Sequence, residues 1–518
     1  MQQGWAARLV APIAVGIAVG GALWLGRPWQ LASLGVLLLL GWLSLPPAGR
    51  HAPPAPWLLA PLLPVALSWP TALDHQWTTA FLPLCLLIPL LFAWGVAFPL
   101  TPPQKDLFAV LLAAAALVAL AQASGRLAAA GQGLEVLPES FAASARARLA
   151  TGRAFGTLPL PGHFAALQAL AVPFLASWAL RRRVLPLLLL LLSLAGTLAT
   201  RSLLGVALWL MAFLACLPLH LPRRWRLPLS LLAACVLALT VLERRDLAQL
   251  EPLALRWVNW SVAWWSFVQH PLLGVGPGGA GMAGLTSPWG AANITPFAHN
   301  TPLELLAELG IAGLPLLLFG AGSLLRLLGS LWDADRPLAV AVAVGLAHNL
   351  ADFSFYEPGF LFPWLLLVAT GVVETRATRL RLLPSALVVG LAAPAVLLSA
   401  LEGRCQAQAV AARQQTTPAA KATGLLEAAA WAPWRVGELV EAAGYALKTQ
   451  DRALEERLLD SLAARGWVAP RSAALAEVRA LLLLSLGRRT EAWAWAAEAR
   501  RRAPFRVELA QLEARCRP

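Results

Sequence analysis

Apolar residues fall into long runs along this chain, and polar residues gather between them. Thirteen runs approach the length of a membrane span: 9–25, 31–45, 57–73, 81–98, 107–123, 163–180, 185–200, 203–219, 227–242, 302–325, 338–353, 360–373 and 383–401. A transmembrane helix needs about 20 mostly apolar residues, so the series predicts a polytopic membrane protein of about 12–13 transmembrane helices. Two polar stretches, 124–162 and 243–301, interrupt it. Beyond residue 402 no run reaches span length. Apolar positions there recur with helical spacing over 420–431, 436–447, 452–465, 472–486 and 489–502, which predicts paired amphipathic helices. The expected fold is all-α: a membrane bundle plus a C-terminal α-helical solenoid. Three regions result, 1–154 with the N-terminal spans and a first long loop, 155–401 with the membrane core and the large loop 243–301, and 402–518 with the helical domain.

Arginine fixes the expected orientation. With the N-terminus cytoplasmic, the short loops bearing Arg50, Lys105, Arg181 to Arg183, Arg223, Arg224, Arg226, Arg326, Arg336, Arg376, Arg379 and Arg381 all fall on the cytoplasmic side. The opposite side receives both long polar stretches, the C-terminal domain, Arg201, Arg256, His299, Asp352 and Glu357. Ionisable groups gathered at one face of a bundle are a functional-site hypothesis. Composition agrees, since 58% hydrophobic and 13% charged residues fit no soluble class. The net charge of +14 follows from this topology and not from nucleic-acid binding, for which no motif is present. The 23 Trp against 2 Tyr suit long membrane interfaces. The first apolar run continues into further spans, unlike a cleavable signal peptide.

The densest candidate chemistry lies in 297–313, beside a span. Thr301 suits an N-cap, Pro302 the first helical position and Glu304 a capping-box carboxylate. His299 and Asn300 would then stand just outside the positive end of a helix, where anions are favoured and imidazole stays neutral. A neutral histidine there suits a general base beside a phosphate; it equally suits a histidine that ends a loop. Arg201, in Thr200-Arg201-Ser202 between two closely spaced runs, is either an arginine snorkelling to the interface or a fixed cation for phosphate. Arg256 opens a stripe of Trp257, Trp260, Trp264 and Phe267 at spacings of three and four, one face of a helix at the membrane surface. The glycine-rich segment 270–278 lacks the Walker lysine and is no P-loop; it fits a moving loop or a plain connector. Cys405 and Cys516 bracket the C-terminal domain and leave a disulfide open.

Several of these residues together resemble the O-antigen ligase and polymerase superfamily of bacterial membrane glycosyltransferases. The resemblance rests on His299-Asn300, nine residues, Gly310, two residues and Gly313. It includes Trp264 followed by His270-Pro271-Leu272-Leu273-Gly274-Val275-Gly276, and the arginine of Thr200-Arg201-Ser202. Gly156-Thr157-Leu158 through Pro173 is similar to an earlier element, with His163 where asparagine is common. His348 to Asp352 with Pro358 resembles a later span carrying His and Asp. The likeness runs from about Phe155 to Val373; the N-terminal spans share only topology. Leu486-Gly487-Arg488-Arg489-Thr490-Glu491-Ala492 through Pro504 resembles a tetratricopeptide repeat.

The resemblance implies a GT-C-like enzyme of the bacterial cytoplasmic membrane with its active site in the extracytoplasmic loop. The donor would be a polyprenyl-pyrophosphate-linked glycan and the acceptor a glycan, lipid A-core or protein, with no cofactor and no metal. Carried over, His299 would deprotonate the acceptor hydroxyl, and Arg201 and Arg256 would hold the pyrophosphate as negative charge grows on it. Direct attack at the anomeric carbon would invert configuration. Asn300, His163, His348 and Asp352 would support the base or contact sugar; His348 and Asp352 also fit a buried structural pair, and supply too few ligands for a metal. The repeats would bind a protein partner or cap the loop face. A transporter of lipid-linked sugar is the other functional class, but it needs polar groups through the membrane depth, whereas here they gather at one face.

Overall fold

The structure is a computed structural model. It describes residues 26–43, 62–125, 152–180, 184–216, 251–289, 297–375 and 385–518, with scattered residues elsewhere. The runs expected over 9–25 and 227–242 lie largely outside the described residues, as do Arg50, Arg181 to Arg183, Arg223, Arg224, Arg226, Arg376, Arg379 and Arg381. Every regular element among the described residues is helical, and six helices are long and apolar enough to cross a membrane.

The chain runs through α1 (Gly26–Leu43), the short α2 (Leu62–Ser68) and α3 (His75–Ala97). The run expected over 57–73 leaves the helix after Ser68 and turns at Trp69 and Pro70, consistent with a proline that cannot continue a helix. Asp74 then caps α3, its carboxylate accepting the Gln76 and Trp77 N–H groups at 2.8 and 3.3 Å. Next come α4 (Pro102–Ala114), α5 (Ala116–Ala123), α6 (Pro161–Ala179), α7 (Val184–Ala199) and α8 (Leu203–Cys216). The segment 243–301 is partly helical, holding α9 (Glu251–Gln269) and α10 (Ala280–Gly284). The membrane region closes with α11 (Thr301–Leu309), α12 (Leu314–Ala334), α13 (Arg336–Asn349), α14 (Pro358–Thr375) and α15 (Ser385–Arg413).

Helix α6 is the axis of the bundle. It packs on α4, α7, α8 and α13, and nearly all of its residues are buried. Lipid is as apolar as leucine, so helices associate in a membrane by close packing of small residues and by hydrogen bonds. Both are present. A Cβ on Gly205 of α8 would lie 2.2 Å from the Cβ of Ala165, and one on Gly196 of α7 would lie 2.5 Å from that of Ala116. Gln168, fully buried, donates to the Leu112 carbonyl of α4 at 2.7 Å.

The run expected as one span over 302–325 is broken into α11, a 3-10 turn at Gly310–Gly313, and α12. The cause is a backbone-to-backbone approach. Gly310 has φ +60, and a Cβ on it would meet the Leu272 carbonyl carbon at 2.6 Å; a Cβ on Gly274, φ +66, would meet that of Glu308 at 2.3 Å. Only glycine permits this contact at a positive φ. Across it, Val275 and Gly276 donate to the Ala307 and Glu308 carbonyls at 3.1 and 2.9 Å, and Ile311 donates to that of Pro271 at 2.7 Å. The glycine-rich segment is therefore stitched along α11.

The boundary expected at 401–402 lies inside α15, a continuous helix of 29 residues. From it the chain continues through α16 (Pro418–Trp431), α17 (Gly437–Ala446), α18 (Arg452–Ala464), α19 (Ala473–Ser485), α20 (Arg489–Arg502) and α21 (Val507–Cys516), each packed on the next. This array sits on the start of α3. His75 donates its N–H to the Val468 carbonyl at 2.8 Å, and Gln76 Oε1 accepts the Val436 and Gly437 N–H groups at 2.8 and 3.2 Å. Cys405 and Cys516 are both free thiols buried in separate apolar clusters, so they form no disulfide.

Candidate functional site

The N-cap of α11 is Asn300, one residue earlier than the Thr301 expected. Its Oδ1 accepts the Leu303 N–H at 3.0 Å, while its amide donates to the Leu350 carbonyl at 2.8 Å. Thr301 is drawn elsewhere: its hydroxyl lies 3.0 Å from Asn349 Oδ1 and 3.2 Å from the Asp352 carbonyl. Glu304 completes no capping box either, because its carboxyl takes the N–H of Ala298. These bonds tie the start of α11 to the turn between α13 and α14.

That turn carries Asp352, and three histidines converge on its carboxylate. His299 Nδ1 is 3.1 Å from Oδ1, His163 Nε2 is 3.4 Å from Oδ1, and His348 Nε2 is 3.6 Å from Oδ2. His163 opens α6 and His348 closes α13, so three separate elements supply the imidazoles. His348 Nδ1 is held by Ser354 Oγ at 2.9 Å, and Asn349 donates to the same hydroxyl at 2.9 Å. The Phe353 ring fills the space between, edge-on to both His163 and His299 at 4.7 Å and stacked on Phe297 at 4.1 Å. Asp352 and His348 are almost wholly buried, whereas the His299 side chain is 29% exposed.

His299 is the member of the cluster that faces outward, and its backbone is unusual. Its φ is +54. Among the described residues only three non-glycine positions have positive φ, and two of them are His299 and Arg201 (φ +51). Such conformations cost on the order of 1 kcal/mol and concentrate at functional sites. Because Asp352 can accept but not donate, His299 takes the tautomer with hydrogen on Nδ1, leaving the Nε2 lone pair free to take a proton.

Of the two predicted arginines, one lies near this cluster and the other at a neighbouring turn. Arg256, on α9, lies within electrostatic reach of His348. Its helix packs on α11, and Trp260, at the inner edge of the tryptophan stripe, directs its indole N–H at the His299 carbonyl at 3.5 Å. Trp257 and Trp264 of the same stripe stay exposed. Arg201 stands at the turn between α7 and α8, next to Ser202. Gly162 links that turn to the cluster: a Cβ there would lie 3.1 Å from Asp352 Oδ2, 3.8 Å from Ser202 Oγ and 4.0 Å from His348 Nε2.

Sequence reasoning missed Arg153, whose Nε donates to the Thr200 carbonyl at 3.3 Å and so brings a second guanidinium to the Arg201 turn. Its place just before Phe155-Gly156 was the available signal. Ser354 and Asn349 were missed as well, and Trp260 was read only as part of an interfacial stripe. Among the described residues no group of three or more His, Cys, Asp and Glu has the geometry to hold a metal ion.

The described residues thus form a helical bundle with six helices long and apolar enough to cross a membrane and a polar, partly open cluster at an end of its helices. Residues 187–318, from α7 into α12, match the family described as O-antigen ligase, which supports a kinship with the O-antigen ligase superfamily. The matched segment contains Arg201, Arg256, His299 and Asn300. Neither the curated proteins nor the solved structures give a match. The family match supports a multi-pass membrane ligase that transfers glycan.

Proposed function

We propose that the protein transfers a glycan from a polyprenyl-pyrophosphate carrier to an acceptor hydroxyl, at the outer face of the bacterial cytoplasmic membrane, with inversion at the anomeric carbon. The observation that carries this reading is the His299–Asp352 pair, 3.1 Å apart, with the His299 side chain partly exposed. Asp352 orients the ring and stabilises the imidazolium; Nε2 removes the acceptor's proton as its oxygen attacks C1. The bond from C1 to the pyrophosphate breaks, and Arg201 and Arg256 stabilise the charge left on the departing pyrophosphate. Guanidinium suits this role because it stays charged and binds phosphate through two parallel hydrogen bonds. Asn300 holds the base at the helix start, and His348 and His163 complete the shell around Asp352.

The helical array docked on α3 suits a protein role, presentation of an acceptor or capture of a partner, a reading supported by the resemblance of Leu486 to Pro504 to a tetratricopeptide repeat. The test uses purified protein in nanodiscs with polyprenyl-pyrophosphate oligosaccharide and three acceptors: core lipid, a glycan repeat unit and a pilin-like protein. Transfer to one acceptor, abolished by His299→Ala, is the expected result and identifies the branch as ligase, polymerase or protein oligosaccharyltransferase. Movement of donor across the bilayer without transfer, unaffected by His299→Ala, would replace the enzyme with a transporter.

A further inference from the structure

Two carboxyl groups lie buried behind His299, and the transfer chemistry does not use them. Glu304 and Glu308 occupy one face of α11, one helical turn apart, and are 0% and 1% exposed. Glu304 Oε2 accepts the Ala298 N–H, in the residue before the candidate base. Glu308 Oε1 accepts the Gly278 N–H at 2.5 Å, in the glycine-rich segment, and its Oε2 accepts the Tyr356 hydroxyl at 2.7 Å. Arg27 lies over the Phe81 ring at 4.4 Å and donates to the Tyr356 carbonyl at 3.3 Å. Glu304 Oε1 remains, buried without a donor, on the helix face that it shares with Glu308.

An ionised carboxylate oxygen in that place would be an unsatisfied acceptor beside a second negative charge, which is costly in a buried site. A hydrogen on Glu304 Oε1 resolves both problems, since Oε1–H then donates to Glu308. Glu308 accepts three donors, and Glu304 accepts one and gives one. We infer that Glu304 and Glu308 share one proton and act as positioning residues, clamping Ala298 and Gly278 so that His299 keeps its left-handed backbone and its aim at Asp352. This inference rests on the reading of His299 as the base. The roles within the pair are unequal. In Glu304→Gln the new amide can still donate through its nitrogen and accept through its carbonyl. In Glu308→Gln one of the two oxygens that accept the Gly278 N–H and the Tyr356 O–H is replaced by a donor.

The test compares Glu304→Gln, Glu304→Leu and Glu308→Gln in the full chain in nanodiscs. The first measurement needs no substrate: hydrogen exchange of the peptides covering Gly278 and Ala298. Glu304→Gln is expected to exchange within about threefold of the wild type, while Glu308→Gln and Glu304→Leu exchange at least roughly tenfold faster in one or both peptides. The second follows release of polyprenyl pyrophosphate from the lipid-linked oligosaccharide. Glu308→Gln and Glu304→Leu should lower kcat about a hundredfold with KM within about threefold, and Glu304→Gln should recover most of that loss. Equal damage from the two glutamine variants in exchange would overturn the shared proton. Faster exchange with unchanged kcat would overturn the positioning role. An unaffected His299→Ala with the exchange pattern intact would instead count against His299 as base and leave the clamp standing.

Discussion

At one end of α13, Asp335 meets the Lys105 ammonium at 2.6 Å, and Glu374 from the end of α14 pairs with the same ammonium. At the other end, about 20 Å away along a helix of 14 residues, Asp352 faces three imidazoles, only one of them at 3.1 Å. The first cluster ties the ends of α4, α12 and α14 with every charge paired, and its lysine is nearly buried. The second leaves both ring nitrogens of His163 and Nε2 of His348 without a well-formed hydrogen bond. It also holds His299 at a positive φ and keeps that ring partly open. Satisfied charge joins helices; incompletely satisfied charge around an open group is where substrate can complete the bonding.

The largest effects should separate the two ends. His299→Ala is expected to lower transfer by about 10³-fold, the scale of a lost general base, with little change in thermal stability because the side chain is partly exposed. Asp352→Asn should cost about 10²–10³-fold, since the amide no longer selects the Nδ1–H tautomer or stabilises imidazolium. Both are read as kcat and melting midpoint on the same nanodisc preparation. Lys105→Met should do the reverse. Removing one member of a mostly buried ion cluster costs about 3 kcal/mol, so the unfolding midpoint falls while kcat per folded molecule stays. Loss of activity without loss of stability in Lys105→Met would erase the contrast between the ends.

Asp74 offers a third case, a carboxylate with no cation partner among the described residues, at the site end where α3 meets the C-terminal array. Burial outweighs its bonds to the Trp77 and Gln76 N–H groups and pushes the carboxyl up to about 6. Its folded value exceeds its unfolded one, so the stability it contributes is full below about pH 4 and is lost as pH rises through about 6. Asparagine caps a helix as well as aspartate does and does not titrate. Asp74→Asn is therefore expected to flatten the decline in stability between about pH 4 and 7, by about 3 kcal/mol at the upper end. A parallel pH profile for wild type and variant would show that Asp74 is solvated in solution.

How much of this was legible in the residues follows from distance along the chain. His299, Asn300 and the two glycines after them form a short signature, and the helix they open can be read from local capping chemistry. Even there the cap falls one residue before the position that local chemistry predicts, because the hydroxyl of Thr301 is claimed by Asn349 and Asp352 across the fold. His348 and Asp352 are one turn apart, so their proximity was visible; that His163, on a different helix far earlier in the chain, shares the carboxylate was not. Lys105 looked like a loop cation, yet it is the centre of a cluster reaching 230 and 269 positions onward. The break at Gly310 was hidden by hydrophobicity, since an apolar run does not reveal that another backbone will be pressed against it.

The smallest predicted effect probes the site at its tightest point. Gly162 lies outside the positive-φ positions, so alanine there brings no backbone strain. Its Cβ would stand 3.1 Å from Asp352 Oδ2, closer than most such contacts, while Ser202 Oγ at 3.8 Å and His348 Nε2 at 4.0 Å limit the room to retreat. The carboxylate must give by a few tenths of an ångström, and His299 with it. A displacement of about 1 Å in a reacting group can cost about 10²-fold; a smaller one, about tenfold. Gly162→Ala is thus expected to lower kcat about tenfold with KM and the unfolding midpoint nearly unchanged. A full rate in this variant would mean that the position of Asp352 does not govern the base, and the contrast between a charge cluster that braces helices and one that aims a side chain would lose its main support.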